Sequence, residues 1–118
     1  MQLIKEQIII NKVKSDLPIK VYPEKEILDK LREHFENNAI IKSTILEIHS
    51  MFYMGDEGGI TCEIRTPNMN TEAAKAVFLC SITHFRIKKG EPHFAILEKY
   101  RTKRIRRLSR QQNRNRFF

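Results

Sequence analysis

Six cationic side chains near the end of this chain carry its strongest chemical signal. Lys99, Lys103, Arg106, Arg107, Arg110 and Arg114 follow one another at spacings of 4, 3, 1, 3 and 4. On a helix, these spacings keep one side positive over 15 steps. At about 1.5 Å per residue, that side is roughly 22 Å long. Such a row can follow several phosphates, and each one neutralised adds counterion release and a steeper salt dependence. Guanidinium groups grip phosphate bidentately and stack on bases. The row is therefore the candidate nucleic-acid-binding face. Docking on an acidic protein surface and simple solvation are the competing readings. There is no zinc-knuckle spacing, no aromatic RNA-binding signature and no helix-turn-helix pattern, so composition alone carries the assignment. RNA ranks ahead of DNA because no groove-reading motif is visible and arginine-rich segments order on RNA.

A second set lies upstream. Glu47, His49, Glu63 and His84 fall with Arg65 and Arg86 at alternating positions of strand-like segments. A carboxylate beside an imidazole orients the ring and raises its pKa, which is the raw material of general acid–base catalysis. These four are weak catalytic candidates, with Arg65 and Arg86 as a secondary polar face. The stronger reading is a solvated sheet face with cross-strand ion pairs.

Other chemistry finds less support. His49, His84, Cys62 and Cys80 lack any C-x-x-C or H-x-x-x-H spacing, and alternation sends Cys62 to the face opposite Glu63. No metal and no cofactor is expected. Gly55–Gly59 is glycine-rich but carries Asp56 and Glu57 and leads into a strand, so it reads as a hairpin connection rather than a phosphate cradle. Ser81 and Thr83 have no nucleophile-elbow motif around them.

The charge map sharpens the picture. The formal net charge is +8 over 118 residues. Nine cations and no acid lie in Lys99–Phe118, leaving 13 cations against 14 acids in residues 1–98. The excess therefore belongs to the C-terminal segment, and this asymmetry calls for an acidic partner. Two cysteines cannot build a secreted-type disulfide framework. The first ten residues are not expected to act as a signal peptide, and no apolar run reaches the ~20 residues that span a bilayer. A cytoplasmic location is expected.

Several elements must position these residues. Ile8–Val13 is β-branched and reads as a strand, paired in a hairpin with the alternating Leu17, Ile19 and Val21. Ile4 and Ile8 would also fit a helix. Pro18 puts the second strand at an edge or delays its start. Pro23 and the spacing of Ile27, Leu28, Leu31 and Phe35 predict a helix over about 24–37, stopped at Asn37-Asn38. Leu46, Ile48, Phe52 and Met54 then share one strand face. Ile60, Cys62 and Ile64 form the next strand, broken at Pro67–Thr71. A third strand runs over Ala76–Lys88, and the three make an antiparallel meander. A C-terminal helix begins near Pro92, with Phe94, Leu97, Ile105 and Leu108 on its apolar side. Arg101 interrupts that side, and order fades after about residue 110.

The fold class that follows is α+β: an antiparallel sheet (three-strand meander plus an N-terminal hairpin), one central helix and one basic amphipathic C-terminal helix. Residues 1–110 read as a single domain and residues 111–118 as a loose basic tail. The expected function is a small non-enzymatic binding protein. Its partner is nucleic acid or an acidic protein surface, and a homodimer through a sheet edge is a further option. A membrane partner is set aside, because the apolar side of the basic helix is short, interrupted and needed by the core.

Overall fold

Alternation and helical spacing divide the chain into a sheet and the helices that cover it. A computed structural model describes residues 4–67 and 77–115, with side chains as far as Gln111. The helices are α1 (Lys5–Val13), α2 (Leu28–His34), the single turn α3 (Gly55–Gly58) and α4 (Phe94–Asn115). The strands are β1 (Ile19–Pro23), β2 (Leu46–Tyr53), β3 (Ile60–Arg65), β4 (Phe78–Ser81) and β5 (Phe85–Ile87). They form one five-stranded sheet in the order β4-β3-β2-β1-β5 with every pairing antiparallel. The α+β class and the β2-β3-β4 meander are as the sequence indicates.

The N-terminal hairpin is corrected. Residues 5–13 form a helix, not a strand. Ile9, Ile10 and Val13 are buried together, and their spacings of three and four suit a helical stripe better than alternation. β1 begins at Ile19, just past Pro18, and lies between β2 and β5 rather than at an edge. The late start is what lets a proline precede an interior strand. α2 is shorter than the expected 24–37, because Lys25–Ile27 is a separate 3-10 turn. It ends when Asn37 N–H donates to Arg32 O and Glu36 N–H to Glu33 O, with Glu36 at φ 49°. That paired closure satisfies the last carbonyls of a helix.

Two irregularities reset the faces of the strands. In β2 the register shifts between Ile48, opposite Ile64, and Ser50, opposite Glu63. The extra residue in this bulge flips everything beyond it. Met51 is therefore buried, and Phe52 and Met54 face outward, contrary to the uninterrupted alternation expected. The second irregularity is the 3-10 turn Ile82–His84, which splits the strand expected over Ala76–Lys88. The break expected at Pro67–Thr71 lies, beyond Pro67, outside the described residues.

That turn also shapes the sheet. The edge strands β4 and β5 would stand about 19 Å apart in a flat five-stranded sheet at ~4.8 Å per strand. Ser81 to Phe85 is four residue steps and spans at most about 14 Å. The sheet must therefore curl until its two edges approach. One face carries the core: Ile19, Val21, Leu46, Ile48, Ile60, Cys62, Ile64 and Phe85 are buried with Ile9, Val13, Leu31 and Leu97 from the helices.

The β2–β3 connection is closed by Gly59. It sits at φ 59° and ψ −143°, a region almost closed to side chains. A Cβ there would lie 2.6 Å from Arg104 Nε and 2.7 Å from Tyr100 Oη. Gly55, at φ 79°, has open space around it. Gly59→Ala should therefore cost about 2–3 kcal/mol of stability and Gly55→Ala about 1 kcal/mol. Urea unfolding of the two variants measures the difference, and equal losses would disprove the close approach.

Candidate nucleic-acid interface

α4 is fixed to the sheet by polar side chains as much as by apolar ones. Leu97 and Tyr100 reach the core, with Phe94 and Ile96 partly buried against it. Glu98 Oε1 accepts from Ile87 N–H at 2.8 Å on the β5 edge. Arg101, only 6% exposed, donates to the carbonyls of Ile82 and Thr83 and to Glu98 Oε2. Arg104, 7% exposed, donates to the carbonyls of Asp56 at 3.1 Å and Glu57 at 2.7 Å. Tyr100 Oη accepts from Ile60 N–H at 3.2 Å. Arg101 thus serves the 3-10 turn, and Arg104 caps carbonyls of α3 that have no partner within the turn. The apolar side expected for α4 is corrected accordingly. Ile105 is exposed, whereas Tyr100, Arg101 and Arg104 are buried.

The remaining cations form the row. Lys99, Lys103, Arg106, Arg107 and Arg110 are all exposed along α4. Arg114 belongs to α4, which continues past residue 110 to Asn115, but its side chain lies outside the described residues. Lys5 of α1 joins the row. The positive charges of Lys5 and then Lys99 push the pKa of Lys103 below its ordinary value. Lys5 and Lys12 do not stand out in the sequence, where α1 has the β-branched composition of a strand. The signal that could have found them is the helical spacing of Ile9, Ile10 and Val13.

The second candidate set divides. Glu47, His49 and Glu63 are carried on the strands away from the core face, and the β2 bulge adds Ser50 to them. His49 Nε2 lies 3.1 Å from Glu47 Oε1. Ser50 Oγ donates to Glu63 Oε2 at 3.5 Å, and Arg65 Nη2 to Glu63 Oε1 at 3.3 Å. His84 is elsewhere, in the 3-10 turn between β4 and β5. Burial lowers its pKa, and its charged neighbours are Glu26, Lys30, Arg101 and Glu24. Arg86 lies over the Tyr22 ring at 5.5 Å, pairs with Glu24 at 2.8 Å and donates to Lys42 O. Arg65 and Arg86 are thus both engaged within the chain, away from the α4 row. The Gly55–Gly59 segment is the hairpin connection expected, built as one helical turn.

Cys62 and Cys80 face each other across β3 and β4 as free thiols. Burial pushes Cys62 well above the ordinary thiol range and Cys80 up to about 11. Among the described residues, no group of three or more His, Cys, Asp or Glu side chains could hold a metal ion. No described helix is long and apolar enough to cross a membrane. Comparison with protein-family models, curated proteins and solved structures returns no match for the chain.

Two predictions follow from this split between buried and exposed groups. Arg104→Ala leaves the α3 carbonyls unsatisfied and should cost about 2–3 kcal/mol in chemical denaturation. Arg106→Ala, on the exposed row, should stay within about 0.5 kcal/mol. At pH 8, alkylation of Cys80 in the folded protein should run roughly two orders of magnitude slower than that of a free thiol. Cys62 should be slower still, and both should become reactive in urea. A fast-reacting thiol in the folded state would contradict the burial of this strand pair.

Proposed function

We propose that this chain is a small non-enzymatic, cytoplasmic protein that binds nucleic acid, RNA more than DNA, through the exposed cationic row of α4. The single observation that carries the reading is that the row stands on a helix pinned by buried side chains. Arg101 and Arg104 are used internally, and Lys99, Lys103, Arg106, Arg107 and Arg110 are left to solvent in fixed register. A fixed row of cations suits a polyanion, because the phosphates find their counter-charges already spaced along about 16 Å of helix. Gathering like charges without a partner is unfavourable, and Lys5 on a separate element adds to the same cluster. The bias toward arginine, together with the lack of a groove-reading motif, favours RNA.

A second reading has its own observation. Phe52 and Leu79 are exposed on the outward sheet face, with Leu79 56% accessible on the edge strand β4. An exposed apolar edge suits a protein partner or a second copy of the chain. The α4 cations would then meet an acidic protein surface.

Salt dependence separates the two. Affinity for a mixed-sequence RNA should fall linearly in log–log form with salt. Lys103→Ala with Arg107→Ala should flatten the slope by roughly 0.7 per cation removed. Binding that keeps its slope in the double variant would remove α4 as the contact.

A further inference from the structure

The seam between α1 and α4 holds a feature that the cationic row alone does not use. Two cavities lie along it, of about 470 Å³ and 250 Å³, and both are lined by Lys5 and Tyr100. They therefore adjoin and make one furrow. The larger has an apolar floor from Ile8, Ile9 and Ile96, with Lys5, Lys12 and Lys99 around it. The smaller is lined by Lys103, Arg104 and Arg107, with Glu6 as its one acidic side chain. Ile8 is 41% exposed although it sits among lysines.

We infer that this furrow is a seat for an unstacked nucleobase, so that the preferred ligand is single-stranded RNA, with its phosphates on Lys5, Lys99, Lys103 and Arg107. The inference rests on the proposed function and specifies its ligand. Charge complementarity selects a polyanion. The apolar floor selects one that carries flat, poorly hydrated groups between its charges. A duplex keeps its bases stacked inside and would touch only the cationic rim, leaving the floor empty. In a single strand the base is free to turn into the furrow; sequence-tolerant binders pair a basic groove with aromatic platforms, and here an aliphatic floor beside Tyr100 takes that place. The larger cavity falls within the range of about 300–1,000 Å³ usual for small-molecule sites. A phospholipid headgroup brings only one or two phosphates, and the row beyond the furrow at Arg106 and Arg110 would have no use for it.

The test is fluorescence anisotropy on the full chain with three labelled probes of equal phosphate count. These are a mixed single-stranded RNA, the same strand with abasic riboses, and an RNA duplex. The intact strand should bind roughly tenfold tighter than the abasic strand and the duplex. Ile8→Gln, at an exposed position, should abolish that advantage, whereas Lys103→Ala should weaken all three probes together. Circular dichroism checks that each variant is folded, and the comparison of intact with abasic RNA needs no variant at all. Equal affinity for intact and abasic strands would overturn the furrow and leave the cationic row standing. Loss of binding to all three probes would overturn both. Ile8-dependent binding of polyglutamate or of phosphatidylserine vesicles in preference to RNA would overturn the base as occupant.

Discussion

Two buried guanidinium groups hold α4 to the sheet, and the arrangement of the chain depends on them. Arg101 reaches the carbonyls of Ile82 and Thr83, at the turn that carries the chain from one sheet edge to the other. Arg104 reaches the carbonyls of α3, at the connection between β2 and β3. Ile82 O also accepts from Phe85 N–H, but the α3 carbonyls belong to an irregular segment and have no ladder to satisfy them. Burying them without partners would cost on the order of 1–3 kcal/mol each. A planar guanidinium, with several N–H donors in a fixed fork, is well suited to the task. Gly59 is part of the same device, because its missing Cβ leaves room for Arg104 and Tyr100 to approach.

This arrangement explains why much of the fold was legible in the sequence and why the rest was not. β3 reads cleanly, since Ile60, Cys62 and Ile64 alternate without interruption and all three are buried. α2 reads through the spacing of Leu28 and Leu31. β2 misleads beyond Ile48, because a bulge is a choice of register made jointly with β3 and leaves no mark in the alternation of one strand. The strand expected over residues 76–88 misleads for a similar reason. Ile82–His84 is composed of residues that suit a strand, and only the demand that the chain cross between sheet edges turns them into a 3-10 turn. At α1, β-branched composition points to a strand while the spacing of the buried residues points to a helix. In the fold the buried stripe of Ile9, Ile10 and Val13 decides, as tertiary packing commonly overrides propensity.

The candidate site was legible in type and only partly in geometry. The cations of α4 are visible as a run, and their helical register follows from the spacing. Which of them are spent internally does not follow. Arg101 reads as an interruption of an apolar side, and Arg104 as one more cation, yet both are structural. Their burial needs partners from residues 56, 57, 82 and 83, far away in sequence. Lys5 was invisible for the opposite reason, as a lone lysine near the N-terminus gains meaning only when α1 lies against α4. On the outward sheet face the sequence placed Glu47, His49 and Glu63 together correctly, but grouped with them a histidine that the 3-10 turn carries away.

The electrostatics of the α1–α4 seam then links fold to function. Core packing of α1 and α4 brings Lys5 toward Lys99 and Lys103, and the depressed pKa of Lys103 is the mark of that crowding. Exposed like charges repel weakly in water, and salt screens them over about 8 Å under physiological conditions. The fold can tolerate the cluster because its ammonium groups remain solvated, whereas the two guanidinium groups that are buried each have carbonyl or carboxylate partners. The buried cations are thus anchored within the chain, although Arg104 Nε itself has no partner among the described residues, and Lys5, Lys99, Lys103, Arg106, Arg107 and Arg110 are exposed on one seam. A sheet face such as the one carrying Glu63 and Arg65 resolves its charges in pairs and has little left to offer a ligand. Among the described residues that line the α1–α4 furrow, Glu6 is the one acid set against its cations, so this seam keeps an excess of positive charge that the sheet face does not.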